Sequence, residues 1–316
     1  MKDENFEELA KNNLKSREHN EVEVEEVKPT SLGKASIYKD DSDEPALLPG
    51  YHEIYSEEFP SGGLFYPKDV RFFIRAASVK EIRHFSTIDE TDPFSVDEAL
   101  TDIIKGCLMM RSPGKRVSFK DLKEEDRIHI ILAIRELTFV DGENMLAIPK
   151  RCEECQTDNQ IPIKNSSFTF NGIDDKISKY YNTETRIFEI ETKSLGVIKM
   201  EPPSIGVMME VTKYIRTKAK DGKKLDQSFL KVLPYLISDW KGLNVKKIQS
   251  LELAYMQWNT KKFQTMNALS AMVKVGVKEI LNSECEGCGS EVSATIQFPG
   301  GIKSLFVVSD ISDELL

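Results

Sequence analysis

Four cysteines in two Cys-x-x-Cys pairs carry the clearest chemistry in the sequence. Cys152 and Cys155 lie in "KRCEECQTDNQIPI", and Cys285 and Cys288 in "NSECEGCGSEVSATI". In such a knuckle a tight turn aims two thiolates at one point, and two knuckles supply the four soft ligands of a closed tetrahedral zinc site. Both pairs run into short strand-like stretches, "NQIPI" and "EVSATIQF", as the halves of a zinc ribbon do. Gly289 follows Cys288, where a left-handed backbone lets amides point at the sulfurs. Four thiolates leave no coordination position for water, so the expected zinc is structural. Two local disulfides and a redox pair are the competing readings, but neither pair opens a helix in a thioredoxin-like βαβ pattern. The fifth cysteine, Cys107, sits in the apolar run "DIIKGCLMM" and reads as a small core residue. With no leader-like stretch and no long apolar span, the expected compartment is a reducing cytoplasm, where thiolate zinc persists.

Other catalytic chemistry is hard to assemble. His19, His52, His84 and His129 are scattered, without HExxH spacing or an evident carboxylate partner. The chain has no P-loop, dinucleotide fingerprint or GxSxG elbow. Ser61 in "SGG" is followed by no Lys-Ser/Thr pair, and Asp40-Asp41 and Asp174-Asp175 lie in polar loops. No enzyme is expected. The net charge of −9 over 316 residues argues against a protein that coats nucleic acid, which needs a basic face to release phosphate counterions. No membrane partner is expected either.

The elements that must position the cysteines are predominantly helical. Residues 1–46 include "EVEVEEV" and "KDDSDEP" and too little apolar surface to offset the entropy of ordering, which predicts a disordered acidic arm. Its alternating Val22 and Val24 would suit adding a strand to a partner's sheet. From Leu47 the chain reads as strand, Gly-rich turn, strand, then helix. Phe59, Leu64, Phe65 and Tyr66 surround the turn. Ser78 with Glu81 and Ser95 with Glu98 are capping-box signals, and Asp121 is expected to open a third helix carrying Ile128, Ile131, Leu132 and Ile134. Further on, two strands flank Gly196, Pro202-Pro203 stop the second, and Ser204 caps a helix. A last helix is expected to carry Phe263, Met266, Leu269, Met272, Val273 and Ile280 on one face.

These readings define an α+β fold: a mainly helical body with short β-hairpins, a zinc-ribbon-like four-cysteine site and the acidic arm. The expected divisions are the arm (1–46), a Gly-rich turn plus helical unit (47–150), and zinc-ribbon halves at 151–170 and 280–300. An inserted, mainly helical lobe (171–279) and a C-terminal tail (301–316) complete them. The zinc site would clasp the lobe at its base.

Several of these segments, in this order, resemble one family. "FPSGGLFYP" is similar to the "lPS-x-G-x-x-YP" opening of baseplate hub and hub-assembly proteins of T-even-type contractile-tailed phages. "SVKEIRHFS", the Cys of "IIKGCL" and "LKEEDRIHIILAIRELTF" follow. The last resembles an L-x-x-x-D-R-x-x-L-x-x-x-I-R-x-x-S/T-F motif through Leu122, Asp126, Arg127, Leu132, Ile134, Arg135, Thr138 and Phe139. A Cys-x-x-Cys knuckle and "PPSIGV" at 202–207 complete a likeness over roughly residues 50–210. A glycine in "PSGG" replaces the basic or polar residue often found there. The resemblance implies a non-enzymatic tail component, part of the virion's baseplate hub or a chaperone for it, assembled in the host cytoplasm through contacts with other phage tail proteins. The alternative is a zinc-ribbon adaptor of a viral transcription or replication complex.

Overall fold

A computed structural model describes residues 49–139, 146–192 and 196–307, and every structural statement below concerns those residues. The expected arm at 1–46 lies outside them.

Chain order begins with β1 (His52–Ile54), β2 (Arg71–Ile74), α1 (Val79–Ser86), α2 (Pro93–Cys107), β3 (Leu108–Arg111) and α3 (Arg127–Thr138). Then come β4 (Ala147–Arg151), β5 (Asp158–Pro162), β6 (Phe170–Asn171), α4 (Asp175–Ser178), β7 (Tyr181–Asn182), β8 (Ile187–Thr192) and β9 (Gly196–Met200). The remainder is α5 (Ile205–Lys220), α6 (Gln227–Val232), α7 (Val245–Met256), α8 (Thr260–Val273), β10 (Gly276–Val277), β11 (Ile280–Glu284) and β12 (Glu291–Thr295). Among the described residues these eight helices and five small antiparallel sheets make a mixed α+β architecture.

The first sheet runs β1-β2-β3, with Ile74 opposite both His52 and Leu108. Its Phe72 and Ile74 pack with α1, α2 and α3 into one core that extends to Cys152, Cys285 and the 3-10 turn Ile302–Leu305. Phe306 follows that turn and meets Phe85 of α1 edge-on at 5.2 Å, so this part of the C-terminal stretch is core. A second core lies under β7-β8-β9 and α8, and a third joins α5, α6 and α7.

"FPSGGLFYP" folds inward. Phe59 and Tyr66 are buried and stack edge-to-face on Phe72, each with ring centroids 4.9 Å away. Phe65 is buried in the second core, whereas Leu64 is 40% exposed. Gly62 and Gly63 adopt left-handed angles (φ 59° and 73°), and a Cβ on Gly63 would come 2.8 Å from Ser56 Oγ. The loop is anchored by Asp126, whose carboxylate accepts from Ser61 N (2.9 Å), Ser61 Oγ (2.8 Å) and Tyr66 Oη (2.5 Å). Tyr66 Oη in turn accepts from Lys123 N at 2.9 Å. Burial pushes the Asp126 carboxyl above its usual value, against the downward pull of hydrogen bonds from Tyr66 and Ser61.

The neighbouring motif residues are equally occupied. Arg127 donates to Asp97 Oδ1 at 2.5 Å, Glu124 Oε1 at 3.0 Å and Thr101 Oγ1 at 2.8 Å. Arg135 stacks over the Phe139 ring, and Thr138 Oγ1 accepts from Ala77 N. In "PPSIGV", Ser204 caps α5, and Gly206 makes room for Trp240, whose ring carbon would lie 2.5 Å from a Cβ there. Trp240 Nε1 donates to Asp121 Oδ1, linking the chain before α7 to the 3-10 turn that precedes α3.

Three helix expectations need correction. α2 is capped by Asp92, not Ser95, because Pro93 presets the first helical φ and the Asp92 side chain accepts from Phe94 N. Asp121 closes a 3-10 turn with Ser118, and α3 starts only at Arg127. The last helix ends at Val273: Gly276 takes φ 138°, and Ile280 lies in β11, 52% exposed.

The Asp126 node generates a graded test by urea denaturation. Asp126→Ala, which strands three buried donors, is expected to cost about 3–5 kcal/mol, and Tyr66→Phe about 1–3 kcal/mol. Leu64→Ala should stay within about 0.5 kcal/mol. Equal, small losses for all three would contradict the buried node.

Candidate metal centre

The two Cys-x-x-Cys pairs occupy the turns of two hairpins. β4 and β5 flank Cys152 and Cys155, and β11 and β12 flank Cys285 and Cys288. The hairpins pack on each other, β12 against β4 and β11 against β5. Each strand alternates one inward apolar face (Ile148 and Ile161; Leu281, Val292 and Ala294) with an outward polar one.

The turns share one backbone design. Cys152 N donates to Thr157 O (2.9 Å) and Gln156 N to Cys152 O (3.1 Å). Cys285 N likewise donates to Ser290 O (2.8 Å) and Gly289 N to Cys285 O (2.9 Å). The residue after each second cysteine is left-handed, Gly289 at φ 76° as expected and Gln156 at φ 63°. Gln156 bears that conformation without being glycine, and its Nε2 donates to Glu153 O.

All four Sγ atoms lie within 4.8 Å of one another. Cys152 and Cys288 are 3.8 Å apart and Cys155 and Cys285 3.5 Å. A disulfide requires about 2.05 Å. A tetrahedron with metal–sulfur bonds of about 2.3 Å has edges of about 3.8 Å. The donor set therefore fits a metal ion held by four thiolates, such as zinc. Cys152 and Cys285 are buried, Cys155 and Cys288 exposed. Hydrogen bonds, foremost from Ser290 Oγ and then the Cys155 amide, hold the Cys152 thiol down to about 6. Gly287 N points at Cys285 Sγ (3.4 Å).

Two residues that motif spacing did not single out bring the knuckles together. Asn159 is buried; its Oδ1 accepts from Glu286 N of the opposite knuckle at 2.9 Å, while its Nδ2 donates to Thr157 O of its own. The available signal was a polar residue at an inward position of the alternating "DNQIP" strand. Gly287 allows the close approach, since a Cβ there would lie 2.4 Å from Thr157 Oγ1 and 3.2 Å from Cys155 Sγ.

The other singled-out residues lie elsewhere. Cys107 is buried beneath β2, where burial pushes its thiol up to about 11. His129 is buried against Phe59 and Phe170, and burial lowers it to about 4. His84 does have a carboxylate partner, Asp102 Oδ2 at 3.1 Å, on an exposed surface. The pairing was invisible in the sequence because α1 and α2 bring together residues eighteen positions apart. His19 lies outside the described residues. No helix among them is long and apolar enough to cross a membrane.

The two-hairpin thiol cluster adjoins the core in which the resembling motifs are engaged. The sequence model of one family, described as T4 bacteriophage base plate protein, matches residues 54–307. The chain belongs to that family, and it is a phage baseplate protein with a structural role in the virion tail. No curated protein and no solved structure matches it.

Metal analysis of Cys285→Ser should show loss of zinc together with a lowered thermal midpoint, because binding energy at such a site is folding energy. Cys107→Ser should keep its zinc. Asn159→Ala, which removes the bridge between the knuckle backbones, is expected to weaken zinc binding about tenfold or more. Wild-type protein that contains no zinc at full stability would remove the centre.

Proposed function

We propose that the chain is a non-enzymatic structural or assembly component of the baseplate hub, stapled by one structural zinc held by Cys152, Cys155, Cys285 and Cys288. It acts by contact with other tail proteins and joins them in the host cytoplasm. Family membership over residues 54–307 carries the reading. It is supported by where the conspicuous residues spend their bonding capacity. Asp126, Arg127, Tyr66 and Trp240 bond within the fold, so the "FPSGGLFYP" and "DR" motifs serve to join elements.

When bound, zinc supplies a rigid cross-link between the hairpins and no open coordination position. The chain's own residues do the rest. Asn159 and Gly287 set the approach of the knuckles, and Trp240 seats the lobe on the first unit. A rigid body with its two lobe ends fixed presents a constant surface to its neighbours, which ordered assembly by shape requires.

Depleting the protein during infection tests the reading. Tails are expected to accumulate without functional baseplates, and wild-type protein supplied in trans should restore infectious particles. Restoration by Cys285→Ser should fail. Normal infectious particles formed in the protein's absence would overturn the proposal.

A further inference from the structure

Residues 205–280 invert the charge of the chain. They carry fourteen Lys and Arg against six Asp and Glu, although the whole chain has a net charge of −9. The excess concentrates about α7, where Lys241, Lys246, Lys247, Lys261 and Lys262 share residues 240–262 with a single acid, Glu252. That carboxylate is buried and accepts from Lys218 Nζ at 2.7 Å. Among the described residues none of the five lysines is in an ion pair. Lys241 and Lys262 instead lie over the rings of Trp240 and Trp258, at 6.0 and 4.8 Å.

The lysines follow a repeated pattern. Asn244-Val245-Lys246-Lys247 opens α7 and Asn259-Thr260-Lys261-Lys262 opens α8, each Asn side chain accepting from the amide of the second lysine. Two cations in a first turn oppose the helix dipole at a cost of about 0.3–1 kcal/mol each. Helix stability therefore gives no reason for either pair.

Between the pairs, α7 seats Ile248 in the third core yet also buries an acid and exposes large apolar side chains. It buries Glu252 at 5% exposure and leaves Leu253 and Met256 outward at 63% and 60%, with Leu251 at 41%. Leu253 and Met256, three residues apart, share a face, and Lys246 lies two turns earlier on the same stripe. On the inner side of α7, Tyr255 contacts Trp258 and Phe263, and Lys262 lies over the Trp258 ring, which ties the second lysine pair to the end of this helix. Large apolar groups left in water among unpaired cations mark a protein contact.

We propose that the outer face of α7, bracketed by the two lysine pairs, docks an acidic amphipathic helix of another protein. Leucine-like side chains of that helix cover Leu253 and Met256, and its flanking carboxylates meet Lys246 and Lys247 at one end and Lys261 and Lys262 at the other. Charge complementarity chooses the occupant and steers its approach, while the apolar strip holds it. A phosphate backbone would use the lysines but gain nothing from Leu253 and Met256. The proposal rests on the reading of the chain as a protein that works by contact; it does not depend on the hub location, so its failure leaves the depletion result untouched.

The test uses the full chain as purified and a fluorescein-labelled helical peptide with leucines at i, i+3/i+4 spacing and glutamates elsewhere, followed by anisotropy. Binding should weaken with salt and fall about tenfold or more when Lys246, Lys247, Lys261 and Lys262 are all changed to Glu. It should fall about fivefold to tenfold in the double variant Leu253→Ser, Met256→Ser. Thermal midpoints verify folding, and a Lys→Gln set replaces the charge reversal if that variant does not fold. A glutamate peptide without leucines should bind about tenfold more weakly. No measurable binding, equal binding by the serine double variant, or tighter binding of random duplex DNA or phosphatidylglycerol vesicles than of the peptide would each overturn the proposal.

Discussion

Everything from residue 164 to residue 279 departs from one hairpin and returns to another, and the meeting of four sulfurs within 4.8 Å closes that excursion. Joining chain points about 100 residues apart costs the unfolded ensemble on the order of 5 kcal/mol in loop-closure entropy. Something must offset it in the folded state. Apolar contact between the hairpins through Ile148, Ile161, Leu281 and Val292 contributes, and the Asn159 bridge adds specificity. The crowded thiols are the part that hydrophobic contact cannot explain. Four groups that repel one another once ionised are gathered within reach of one metal ion, which would make their proximity favourable.

The rest of the fold is arranged around that closure. Asp126 fixes the "FPSGGLFYP" loop to the start of α3, and Lys123 continues the chain of contacts by pairing with Glu201 at 2.5 Å just before "PPS". Asp121 then holds Trp240 of the lobe. Within residues 121–127 every second or third side chain thus connects a different element. The segment therefore works as a junction of buried polar contacts, and such contacts specify one arrangement because a shifted one leaves buried groups unpaired.

Sequence reading captured what is written locally. The left-handed Gly289, the Ser78 capping box and the Ser204 cap depend on residues a few positions apart, and each is where spacing put it. Misreadings occurred where a residue had two suitors. Asp121 and Ser95 both look like helix caps, but Trp240 and Ser118 claim the first, and Asp92 with Pro93 displaces the second. Asn159, Gly287 and Gly206 were illegible because their roles exist only across a tertiary contact, against Glu286, Thr157 and Trp240. Net charge is a whole-chain quantity, and −9 conceals a stretch of opposite sign at residues 205–280.

X-ray absorption at the zinc edge on the purified full-length chain tests the central claim most directly. The expected result is one shell of four sulfur neighbours at about 2.3 Å, with no oxygen or nitrogen neighbour. A mixed first shell, fewer than four sulfurs, or no zinc signal in stably folded protein would contradict it.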